Sequence, residues 1–453
     1  MSHHALGALA LAAGAFLSSS AIAVPDITLL YIGEGGFSEY ETYGPVGGIV
    51  AFAFATTSCN RGNSAADWYD TGAQPWRHPV ISQTMYRHSN GTMEQIGLAW
   101  LKHGFCAVNE PGCATCQSTN CDTLGVGCAD TYWGSLNASG LGPRSEINAA
   151  TGAFPYPFGF SPSGNSTIRG RLQVNTTDII SGANYVLEGH YVALDDASVG
   201  NKNNNASYRR VNLNTSNYNI SDLSGHLTVE GQSAMYAWKA LNPDVEIVNA
   251  DISSDGRIEV AYRVTDNGNG TWHYEYAIHN LSSDRSVGAV SVDADSAVAV
   301  TNVGFHDVFY HSGEPYDGTD WPGSHAGNAV AWSTTPYATN NNANAIRWGT
   351  TYNFRFDADQ APTAGTLTLG LFKPGSPADA TVNVMVPTTP VPTGCPGDAD
   401  GNMTVDFDDL NEVLSNWNTA GPAGDVFPFP GGDGMVNFDD LNEVLTNWGT
   451  SCP

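Results

Sequence analysis

From residue 27 to residue 386 apolar and polar positions alternate in short runs, the period of half-buried strands, and no helical period is sustained before residue 400. Runs at 27–33 and 47–59 read as two strands separated by Gly-Gly breaks. A hairpin follows, 80–86 and 93–101, joined across Asn90-Gly91. Both turn residues tolerate positive φ, which a two-residue hairpin loop requires. Strands resume at 168–174 and 185–194. The alternation is cleanest from Arg257 onward. Ile258, Val260, Tyr262 and Val264 share one face, as do Trp272, Tyr274, Tyr276 and Ile278 on the next strand, across the turn 265–271. Further strands are expected at 305–311, 351–357, 366–372 and 380–386. The body therefore reads as all-β, one or two antiparallel β-sandwiches, with a boundary near 253–256 dividing region 24–252 from region 253–386.

The pattern changes once, near the C-terminus. VDFDDLNEVLSNW at 405–417 returns as VNFDDLNEVLTNW at 436–448, two copies of one supersecondary unit. In each copy an acidic loop precedes an apolar helical stripe: Leu410, Val413, Leu414 and Trp417, then Leu441, Val444, Leu445 and Trp448. Neither stripe can be buried alone, so the two helices are expected to pack together. Asp398, Asp400, Asn402, Asp406 and Asp409 occupy positions one, three, five, nine and twelve of the first loop, with the Thr404 carbonyl at seven. Alternate oxygens in a tight loop suit Ca2+, which takes six to eight oxygen ligands. The second loop keeps Asp433, Asn437 and Asp440, but fixed spacing puts Phe429 and Gly431 at positions one and three. It is expected to bind more weakly unless Asp425 or water substitutes.

This tail, 395–453, resembles a type I dockerin, a small α-helical module of two calcium-loop-and-helix repeats. The resemblance implies a cohesin-like protein or another cell-surface component as partner, and such modules often accompany polysaccharide-degrading enzymes. Met403 departs from the glycine usual at position six, and the partner-facing pairs read Phe407-Asp408 and Phe438-Asp439.

Composition narrows the setting. With 17 Lys+Arg against 45 Asp+Glu the net charge is −28, which excludes nucleic-acid binding through phosphate contacts. The run 5–17 followed by Ala21-Ile22-Ala23 reads as a secretory signal peptide, 1–23, and no later stretch reaches membrane length, so no membrane insertion is expected. Eight cysteines in a secreted chain favour disulfides. Cys395 and Cys452 bracket the tail; Cys59, Cys106, Cys113, Cys116, Cys121 and Cys128 surround a cysteine-rich loop, 104–130. Cys113-x-x-Cys116 lacks the second close pair that zinc would want. Pro387 to Gly394 reads as an extended linker.

Candidate chemistry is thin. On 305–320, His311 with Glu314, Asp317 and Asp320 beside Tyr316 and Trp321 offers the carboxylate pair and aromatic faces that glycoside hydrolysis needs. The bland alternative is a solvated acidic turn. Glu188 with His190, and His273, Glu275 and His279, read as polar sides of half-exposed strands with Arg257, Glu259 and Arg263 as cross-strand partners. No G-x-S-x-G, H-E-x-x-H or phosphate-cradling loop occurs. Two functions remain: a secreted binding or structural protein holding an extended glycan, with Tyr316 and Trp321 as stacking faces, or a secreted glycoside hydrolase attached through the tail. The missing catalytic signature favours the first.

Overall fold

The computed structural model describes residues 23–33, 39–70, 72, 74–388 and 395–451. Residues 1–22 of the expected signal peptide, most of the linker and Cys452 lie outside the described residues. The body is all-β, and every strand pair in it is antiparallel.

In its first half a ten-stranded sheet runs Ile220–Asp222, Ala206–Leu213, Asn184–Val192, Val80–Ser89, Thr92–Leu98, Leu172–Asn175, Ile49–Phe54, Tyr40–Val46 along its main path. A four-stranded sheet containing Ile27–Ile32, Thr56–Asn60 and Cys128–Tyr132 shares a core with it, built from Leu29, Phe52, Phe54, Met85, Leu187 and Tyr191. Asn90 and Gly91 take positive φ in the expected hairpin, with Ser89 opposite Thr92. The six cysteines of the loop region are spent on disulfides: Cys59–Cys113, Cys106–Cys121 and Cys116–Cys128. Cys395 is disulfide-bonded as well.

The second half is a sandwich of two five-stranded sheets. Arg257–Asp266 and Trp272–Asn280 form its central hairpin, and the faces read from the alternation do meet its core, where Ile258, Val260, Tyr274, Tyr276 and Ile278 are fully buried. The turn at 253–256 joins Glu246–Asp251 to Arg257–Asp266 inside this sandwich. The change of sheet comes earlier, between Asp222 and Glu246.

A two-turn helix, Ala234–Leu241, fills that interval. Ser233 caps it by accepting the Met235 N–H, and Met235, Ala237 and Trp238 pack against Ala261 and Ala277 on one side and Tyr86, Met93 and Val186 on the other. The helix and the first-half sheet thus cover the second face of the sandwich, which overturns the half-exposed reading of its polar residues. Glu188, His190, Glu259, Glu275 and His279 are all buried. Glu188 accepts the Ala234 N–H at 2.7 Å, at the helix N-terminus, and the Ser233 hydroxyl donates to Glu259. Burial lifts both carboxyls to about 7.

In the C-terminal repeat, helices Phe407–Ser415 and Phe438–Thr446 each begin with a capping box, Asp406 with Asp409 and Asn437 with Asp440. The helices do pack together, through a narrow core of Val405, Val413, Val436 and Val444. The stripes are only partly buried: Leu414, Trp417, Leu445 and Trp448 stay exposed, because nine-residue helices share a seam one side chain wide. The repeats are also cross-stitched. Val405 exchanges main-chain hydrogen bonds with Gly449 and Thr450 beyond the second helix, and Val436 does so with Asn418 and Thr419 beyond the first. Gly397 lies against Val444 and Gly424 against Val413, each at positive φ and so close that a Cβ would sit 3.0 Å from the valine Cα.

Candidate functional site

The first C-terminal loop brings Asp398, Asp400 and Asp409 together, with a carboxylate oxygen from each within 4.8 Å of the others. The loop is pre-folded around Asp398, which accepts the N–H groups of Gly401, Asn402 and Met403. Asn402 accepts the Thr404 N–H, and Asp406 caps the following helix. Asp409 is fully buried and takes the N–H groups of Ala399, Asp400 and Asp406. Met403 sits at φ +73°, so it adopts the left-handed conformation that glycine usually supplies at position six. Burial, reinforced by the charge of Asp409, pushes the Asp398 carboxyl up. A donor set of hard, mutually repelling oxygens fits a calcium ion.

The second loop follows a different register from the one that fixed spacing gives. Asp425 accepts the N–H groups of Asp433 and Gly434, as Asp398 does for its own loop. Asp440 takes Val426, Phe427 and Asn437, mirroring Asp409. Asp425 therefore stands at position one, and Phe427 replaces Asp400 at position three. The surplus residues of 428–431 bulge outward, leaving Phe429 exposed.

The acid-rich segment 305–320 does not assemble into a site. Only Val300–His306 is strand; the rest is loop. Glu314 is buried and spent on the main-chain N–H groups of Arg144 and Ser145. Asp317 turns back on Thr319 at an exposed bend, and Asp320 is exposed. The His311 imidazole is held down to about 4 by burial and contacts the Leu98 carbonyl and the Ser312 hydroxyl. Trp321 is 2% exposed, stacked on Phe305, with its indole N–H given to the Asn344 carbonyl. It is core and offers no stacking face.

What this segment does is hold up a cleft wall. The carbonyl of His311 accepts the Trp100 indole N–H at 3.1 Å, and Trp100 meets Phe160 edge-on. Ser312 accepts the N–H groups of Ser163 and Gly170. The loop so fixed carries Tyr156, Phe158 and Phe160 along a cleft of roughly 490 Å³, opposite Ser139 to Leu141. Tyr156 stacks on the buried His103 ring at 3.9 Å. A second cleft of roughly 330 Å³ also includes Phe160, together with Tyr316, Tyr337, Asn341 and Asn342. Phe160, 37% exposed, lines both clefts; the first is walled by residues 138–171 alone and the second by residues of both halves. Tyr316 is thus a lining residue, its ring under the Arg347 guanidinium at 4.3 Å. The stretch FPYPFGF at 154–160 escaped notice because it has neither strand nor helix period. Four aromatics in seven residues of loop were its only signal.

No protein-family model matches the chain, and no curated protein matches it. Among solved structures, a serine-rich repeat adhesion glycoprotein from Streptococcus agalactiae aligns over 75% of this chain and 88% of its own, at 9% identity and TM-score 0.20. Part of the N-terminal region of an enterococcal surface protein aligns over 83% and 99%, at 8% identity and TM-score 0.15. Similarity this slight relates neither fold nor activity. Among the described residues no helix is long and apolar enough to cross a membrane.

Proposed function

We propose that this is a secreted extracellular protein whose body binds an extended glycan without cleaving it, and whose tail is a calcium-dependent, dockerin-like attachment module. The observation that carries the first part is the pair of aromatic-lined clefts that share Phe160. Flat aromatic faces beside hydroxyl and amide groups match a sugar ring, which is apolar on its faces and polar at its rim. The disulfides agree with an oxidising exterior. Against the hydrolase alternative, the carboxylates it names are not paired: Glu314 is engaged by the main chain and Asp317 is exposed.

In the tail, Asp398, Asp400 and Asp409 would hold the ion with Asn402 and the Thr404 carbonyl, and the ion would neutralise their repulsion. Exposed Phe407, Leu414 and Trp417, repeated as Phe438, Leu445 and Trp448, offer the apolar faces through which a cohesin-like partner would dock.

The test is retention of the purified protein on a panel of soluble and insoluble glycans, with released reducing ends scored in parallel. Wild type should be retained and Phe160→Ala should not, at an unchanged melting temperature. Release of reducing sugar would replace this reading with the hydrolase.

A further inference from the structure

We propose that the cleft beside Phe160 selects a negatively charged sugar unit, one bearing a carboxylate or a sulfate; the proposal rests on the glycan-binding reading above. The chain is strongly acidic, 45 Asp+Glu to 17 Lys+Arg, yet among the described residues the wall of this cleft contains Arg169 and Arg171 and no acid. That inversion of the general charge is local.

Arg169 is exposed, and among the described residues its guanidinium has no hydrogen-bond or ion-pair partner; only its main-chain N–H is used, by the Asn165 carbonyl. Most other arginines of the body are committed to carboxylates, as Arg61 is to Glu230 and Arg257 to Asp251. Arg171 is held in place: its Nη1 donates to the Ser166 and Thr167 carbonyls at 2.9 Å, and its guanidinium lies over Tyr43 at 4.2 Å. Behind the opposite wall the buried Lys102 ammonium donates to the Ser139 carbonyl at 3.1 Å. Glu146 lines the second cleft and accepts the Gly159 N–H. A planar guanidinium without a partner, beside aromatic faces, is suited to a carboxylate or sulfate by a two-point hydrogen bond. The second cleft holds Glu146 and two amides, Asn341 and Asn342, and its cations are engaged, Lys373 with Asp284 and Arg347 with the Asn341 and Ala343 carbonyls, so it would take neutral units.

The experiment measures binding of the full-length protein, in calcium, to matched oligosaccharides: oligogalacturonate, a sulfated galactan fragment and the uncharged galactan. At least one acidic oligomer should bind about tenfold or more tighter than the neutral one, the worth of a charge-assisted hydrogen bond. Arg169→Gln should abolish that difference without changing the melting temperature, while Phe160→Ala should weaken every oligomer. Which acidic arm wins identifies the anion. Equal binding of acidic and neutral oligomers, still lost in Phe160→Ala, would overturn the charge preference and leave the glycan reading standing. Binding of none of them would remove both. Equally tight binding of polyglutamate would make the cleft a reader of charge alone and overturn the inference.

Discussion

Asp425 accepts the main-chain N–H of Asp433 at 3.0 Å, eight residues along the chain, and this bond closes the second loop as Asp398 closes the first. Phe427 at position three removes one ligand, and the surplus residues lengthen the loop without opening it. Unequal calcium affinities are the expected outcome. Titration calorimetry on the full chain should resolve a tighter site that Asp398→Ala abolishes and Asp425→Ala leaves intact. Loss of the tight site in Asp425→Ala would mean that the assignment of the loops is reversed.

Gly424 should not tolerate a side chain. Its φ of +78° and the Val413 Cα 3.0 Å from a would-be Cβ leave no room. Gly424→Ala should destabilise the tail by about 1–3 kcal/mol, the cost of a residue held in a sparsely populated backbone region. Gly431→Ala, where nothing lies within 4 Å, is the control and should melt like wild type in calcium.

Trp321→Ala should lower stability by about 3–5 kcal/mol, as large-to-small changes in packed cores do. Its ring is stacked on Phe305 and tilted 5.4 Å from Phe354. Thermal melting of this variant beside Phe160→Ala separates core from cleft: a large drop in the first and none in the second is expected.

These two aromatics also mark how far the sequence could be read. The hairpin across Asn90-Gly91 and the faces of Arg257–Asp266 and Trp272–Asn280 were legible because each strand has an apolar side and local turn chemistry. The strand Ala206–Leu213 was not, since Ser207 and Arg209 point inward and break the alternation; Arg209 reaches the carbonyls of Ile32 and Gly33. The helix Ala234–Leu241 is too short to establish a period. The acid-rich segment 305–320 borders the candidate clefts without lending either of them a carboxylate. The main-chain carbonyls of His311 and Ser312 hold Trp100 and Ser163, the Ser312 hydroxyl holds Gly170, and only distant contacts reveal that.

Burial of Glu188 predicts a pH signature. Its carboxyl is raised from 4.5 to about 7, chiefly by desolvation, so the protein gains most from this group below pH 4.5 and loses that stability as pH climbs through about 7. Glu188→Gln keeps an acceptor for the Ala234 N–H and cannot ionise. Its melting temperature relative to wild type should therefore rise between pH 4.5 and pH 8. A difference that stays constant across that range would show that the carboxyl titrates normally.

The cross-stitching of the tail has a consequence for any fragment of it. A peptide carrying a single loop and helix would possess a glycine with no opposing helix to rest on, and a valine whose bonding segment belongs to the missing half. Two such peptides could satisfy each other across a two-fold axis. The tail is, in its contacts, a homodimer written on one polypeptide, and proteolysis between its halves would leave them associated.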